Sequence, residues 1–154
     1  MRRLALSVAL LIPALAEAQV VLTCEAAGHV ASPANIFEPW AEQSRTYANG
    51  AIRIAHLDTG GEPVCCASHL LVLSPAGGVD EPEYRACHVV SAFEGLGFNW
   101  VDIPGTTASY DPARGLLLSV PVWHWHDGMN EGRPAIVERL AVRINQAAGT
   151  VVLE

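Results

Sequence analysis

The chain has 154 residues and no lysine, with 9 arginines against 16 acidic residues and a formal charge of −7. The missing lysine excludes Schiff-base catalysis, Ser-x-x-Lys acyl transfer and Walker-type phosphate binding. The negative field argues against nucleic acid, anionic lipid headgroups and acidic glycans as partners.

In chain order, Arg2 and Arg3 precede an apolar run over 4–12 and then Pro13-Ala14-Leu15-Ala16-Glu17-Ala18. A basic start, a short apolar core and a small-x-small site predict a secretion signal over 1–18. The expected cut follows Ala18, with Ala16 as the rival. The run is too short to span a bilayer, which takes about 20 residues, and no other stretch is long enough. Cys24 sits where a lipoprotein signal places its acylated cysteine, but Thr23 stands where Gly, Ala or Ser is required. The expected mature chain, 19–154, is one domain of 136 residues, periplasmic or secreted. Losing Arg2, Arg3 and Glu17 leaves it 7 basic and 15 acidic residues, a charge of −8.

Turn signals dominate the rest. Pro39 opens the best helix candidate, 39–48. Asn49-Gly50 predicts a hairpin turn leading into a strand over 51–57. Residues 60–63 break it, and the near-continuous apolar run 64–73 predicts a strand covered on both faces. Residues 74–83 read as loop, then 84–92 and 96–103 as strands. Asp111-Pro112-Ala113-Arg114-Gly115 and Asn145-Gln146-Ala147-Ala148-Gly149 share one design. The Asp or Asn side chain can bond the turn's own backbone, and the glycine accepts a left-handed conformation. They pair 116–125 with 106–110, and 151–153 with 136–144. The pattern predicts an all-β fold, a small antiparallel sandwich or barrel of about seven to nine short strands with at most one short helix.

Cys24, Cys65, Cys66 and Cys87 are an even set, which in an oxidising compartment reads as disulfides. A bond between neighbours closes a strained ring, so Cys65 and Cys66 are expected to reach elsewhere, one to Cys24 and one to Cys87. If 64–73 pairs with 84–92, Cys65, Cys66 and His69 could approach Cys87 and His88 as a soft-metal site.

Trp123-His124-Trp125-His126 is the sharpest motif. On a strand the two imidazoles share one face and the two indoles the other. His124 and His126, with Glu131 or Asp127 as a further ligand, would suit Zn²⁺ or Cu²⁺. Stepping back in twos from His124 meets Val122, Val120, Leu118 and Leu116, so the histidines also read as the cap of a core face. The spacing His124-x-His126-x₄-Glu131 resembles the first motif of the cupin β-barrel family over about eight residues. The flanking glycines of that motif are out of place and its second half has no room in the 23 residues after Glu131, so no family is assigned. Trp123 and Trp125, if outward, suit a protein or glycan partner. No G-x-S-x-G, H-E-x-x-H or dinucleotide fingerprint occurs. The leading expectation is an exported binding domain without chemistry and without a cofactor. The alternatives are a metal-binding protein on His124 and His126, and a hydrolase assembled from scattered residues.

Overall fold

The computed structural model describes residues 18–61, 65–77 and 84–154. The expected signal up to residue 17, Val64 and most of the 74–83 loop lie outside these. The described residues form two antiparallel sheets. The first is ordered β1 (Val20–Thr23), β5 (Arg85–Ser91), β4 (Ser68–Pro75), β3 (Ile52–Asp58) and β2 (Ser44–Tyr47). The second is ordered β10 (Thr150–Leu153), β9 (Ile136–Asn145), β8 (Gly115–His124) and β6 (Trp100–Val101), with β7 (Thr107–Asp111) also on β8. The expected all-β fold is present, with ten strands where the sequence suggested up to nine. Its α-helix is a single turn, α1 (Cys24–Ala27). Among the described residues no helix is long and apolar enough to cross a membrane.

The core lies between the sheets because alternation along each strand points one row inward. Ile54, Leu70, Val72 and Val90 face Leu118, Val120, Val122, Leu140, Val142 and Ile144, all essentially inaccessible. Leu116 to Val122 in steps of two is the apolar face read from the sequence. The opposite face of the first sheet is covered as well. Ala55, Leu57, Leu71 and Val89 pack under Ala27, Val30 and Ile36 of the N-terminal turns. Double covering explains why residues 70–73 are apolar at every position. A Cys24–Cys87 disulfide pins α1 to β5 across that second layer.

Both Asx turns form as read. Asp111 Oδ1 accepts from the backbone N–H groups of Ala113 and Arg114 at 2.8 and 3.1 Å. Asn145 Oδ1 accepts from Ala147 and Ala148 at 3.1 Å each. The expected helix over 39–48 does not form. Residues 39–43 make one turn closed by Gln43 N–H on Pro39 O, and the chain then enters β2. The reason is tertiary: the turn at Asn49-Gly50 folds Ser44–Tyr47 back onto β3 in the register Tyr47↔Ile52, and ladder bonds outweigh a weak helix propensity. The long strand expected over 96–103 shrinks to Trp100–Val101, where the chain crosses between sheets through the bridge Ser68↔Phe98.

Candidate binding site at the open end of the sandwich

Strands β3, β5 and β8 end, and β4 and β9 begin, at one end of the sandwich. The segments 59–61, 65–67, 92–99 and 125–135 gather there. The 92–99 segment is laid on the start of β4: Gly97 N–H donates to Cys66 O at 2.8 Å and Phe98 N–H to Ser68 O at 2.6 Å. Gly97 has to be glycine for this contact. A Cβ there would run into Ser68 O and come within 2.7 Å of Cys66 O and 2.9 Å of His69 Nε2.

Cys65 and Cys66 are bonded to each other, which corrects the expectation that each reaches a distant cysteine. Once Cys24 closes on Cys87, the two neighbours are left to pair. Cys66 lies in the left-handed region, φ 79°. The predicted meeting of Cys65, Cys66 and His69 with Cys87 and His88 does not occur. β4 does pair with β5, but in the register Leu73↔Cys87 and Val72↔His88, several residues from His69. The register Leu70↔Val90, continued one step, sets Ser91 opposite His69 instead.

Two buried serine–histidine pairs result, neither of them foreseen from the sequence. His69 Nδ1 and Ser91 Oγ lie 2.8 Å apart on the outer face of the first sheet. His56 Nε2 and Ser68 Oγ lie 2.8 Å apart on the inner face, diagonal across β3 and β4. The His56 ring is inaccessible, stacked on Phe37 at 4.9 Å and met edge-on by Trp100 at 4.6 Å. Its Nδ1 is buried without a hydrogen-bond partner. Burial pushes both imidazoles down to about 4, only partly opposed by the Asp58 carboxylate. Both are neutral near pH 7. The signal available in the sequence was histidine inside otherwise apolar strands, at 56 and 69, which marks a desolvated ring better than a catalytic one.

His124, His126 and Glu131 take separate partners. β8 ends at His124, so His126 has left the ladder. His124 Nε2 sits 2.8 Å from Glu138 Oε2, its ring edge-on to Phe98 at 5.5 Å. Gln19 donates to the same Glu138 oxygen at 2.8 Å. His126 Nε2–H donates to Pro134 O at 2.9 Å. Glu131 pairs with Arg133 at 2.5 Å, and Asp127 opens the 3₁₀ turn Asp127–Glu131. Among the described residues no three His, Cys, Asp or Glu side chains gather where one metal ion could be held.

Trp123 and Trp125 do not share a strand face, because Trp125 lies past the end of β8. They instead border two depressions that meet at Asn99. One, of about 380 Å³, is walled by Cys65–Cys66, Phe93, Leu96, Phe98, His124 and Trp125. The other, of about 370 Å³, is walled by Trp123, Met129, Arg133, Pro134 and Val137. Trp123 is 39% exposed and its cross-strand neighbour Val137 59%, so this surface faces solvent. A separate cavity of about 320 Å³ holds His29, His69, Ser91 and Glu94 on the other side of Cys66. No family model, curated protein or solved structure matches the chain.

Proposed function

We propose that this chain is an exported binding domain without catalytic chemistry, whose ligand seats at the open end of the sandwich across Trp125, Asn99 and Trp123. The observation that carries this reading is the pair of apolar depressions meeting at one amide, each with an indole in its wall. Concave apolar walls with a few polar groups are the usual form of a ligand site. Exposed tryptophans are the residues that most often anchor partners. With a charge of −8 on the expected mature chain, the partner is neutral or basic and offers an apolar or planar face, on a protein or on a neutral glycan.

The serine–histidine pairs argue against a hydrolase. A general base works best with a pKa near the operating pH, and both rings are held at about 4. Among the described residues no carboxylate hydrogen-bonds either ring to orient it as a triad requires. The pairs satisfy buried polar groups, and the same neutrality keeps this end of the domain free of buried charge.

The test is a tryptophan-fluorescence titration with neutral oligosaccharides, basic aromatic peptides and the neutral apolar probe N-phenylnaphthylamine. Binding should fall at least tenfold in Trp125→Ala or Trp123→Ala and persist in Trp40→Ala, whose indole is exposed elsewhere. Binding that depends on Trp40 alone, or none from the whole panel, would overturn the reading.

A further inference from the structure

We propose that the Cys65–Cys66 disulfide is a thiol-exchange site that sets the shape of the neighbouring depression. The two disulfides differ in what they hold. Cys24–Cys87 joins positions 63 residues apart and removes loop entropy from the unfolded chain. Cys65–Cys66 joins neighbours and closes no loop, so opening it leaves the global fold without an entropic penalty. Its consequences are local.

Three observations place those consequences in the site. The bonded pair forms part of the wall facing Trp125, Phe93 and Leu96. The ring holds Cys66 at a φ of 79°, a region where a side chain bearing a Cβ is disfavoured, and opening the ring frees the residue to leave it. Cys66 O is also the acceptor for Gly97 N–H, so a change in the Cys66 backbone torsions that turns the 66–67 peptide withdraws the support of the 92–97 loop. Both cysteines are partly exposed and line the open depression, the side from which a small thiol would approach.

The chemistry is ordinary exchange with two thiol equivalents, or one dithiol. A thiolate attacks one sulfur of the pair, and the other leaves as a thiolate and takes a proton. The second thiolate then displaces the mixed disulfide. The protein gains two electrons and two protons, and the reductant leaves as its own disulfide.

The inference rests on the binding reading only for its effect on ligand. The full chain would be exposed to graded dithiothreitol, alkylated with iodoacetamide and mapped by mass spectrometry. Alkylation should appear on Cys65 and Cys66 at concentrations that leave Cys24–Cys87 closed. Tryptophan emission should rise as the quenching disulfide opens, and should return on reoxidation with diamide. The rise should vanish in Trp125→Phe and in a Cys65→Ser/Cys66→Ser double variant that keeps the wild-type circular dichroism. N-phenylnaphthylamine affinity should change at least threefold between the two states. If emission responds but the probe binds neither state, the exchange site stands and the ligand reading fails. Recovery of Cys65 and Cys66 as thiols in oxidised protein, bonded to Cys24 or Cys87, or reduced only along with that pair, overturns the proposal. So does selective reduction with no change in Trp125 emission.

Discussion

Acid should destabilise this domain well above the range in which carboxylates titrate, and His56 and His69 set the size of the effect. Each imidazole is lowered from 6.5 to about 4 by burial. The folded state therefore holds both rings neutral while the unfolded chain protonates them near 6.5. Their contribution is complete above pH 6.5, is lost as pH falls from 6.5 towards 4, and is flat below that, where both states carry the proton. One pK unit is worth about 1.4 kcal/mol. Between pH 7 and 4.5 each ring thus withdraws about 2–3 kcal/mol, roughly 5 kcal/mol for the two, against a total of about 5–15 kcal/mol for a typical domain. The orphaned Nδ1 of His56 has no acceptor waiting for that proton, which fixes the direction. His88, lowered by burial, adds in the same sense. Urea unfolding followed by circular dichroism at half-unit steps from pH 7.5 to 4.5 measures the slope. Near pH 5.3 it should approach about 1.4 kcal/mol per pH unit for each ring. In His56→Gln and His69→Gln the slope should drop by about one proton, whatever each variant costs at pH 7. Stability flat across this window, or a slope unchanged in both variants, would refute the reasoning.

Other consequences are more local. Gly97→Ala should cost about 1–3 kcal/mol, as overpacking against fixed backbone does. It should also shift Trp125 emission, since the 92–97 loop has to lift off Cys66. A Cys24→Ser/Cys87→Ser double variant should lose about 4 kcal/mol by the chain-entropy relation for a closure of 63 residues, read from the denaturant midpoint. Zn²⁺ or Cu²⁺ titrated by calorimetry should bind no tighter than to scattered surface histidines, because His124 and His126 each already use Nε2 on a separate partner. Tight one-to-one binding lost in His124→Ala/His126→Ala would reinstate the metal alternative.

Much of the fold was legible because its turns carry their own chemistry. Asp111 and Asn145 bond the backbone two and three residues on, whatever surrounds them, so both hairpins could be read from five residues each. The alternation over 116–122 and the near-continuous apolar run ending at residue 73 reported one-sided and two-sided burial just as directly. What escaped was set by register and by partners distant in sequence. Pairing of β4 with β5 was foreseen, but a different register brings His69 to Ser91 and leaves Cys87 and His88 far away. A single-residue property could not have chosen between these. Pro39 and its helix-compatible neighbours gave no sign that β3 lacked an edge partner, which Ser44–Tyr47 supplies. The expected His124/His126 pair assumed a strand two residues longer than β8, and the chain turns at Asp127 instead. The cysteine pairing failed because Cys24 and Cys87 close on each other. A bond between neighbours closes a strained ring, and that cost weighed against Cys65–Cys66 when the sequence was read alone, although Cys24 on Cys87 leaves each of them no other partner.

A two-dimensional ¹H–¹⁵N spectrum resolves one indole N–H signal for each of Trp40, Trp100, Trp123 and Trp125. Assigned by single Trp→Phe variants and followed during titration with N-phenylnaphthylamine, it locates the bound probe. The signals of Trp125 and Trp123 should move in a saturable way while Trp40 stays fixed. Movement of Trp40 alone, or of none of the four, would contradict a binding site at the open end of the sandwich.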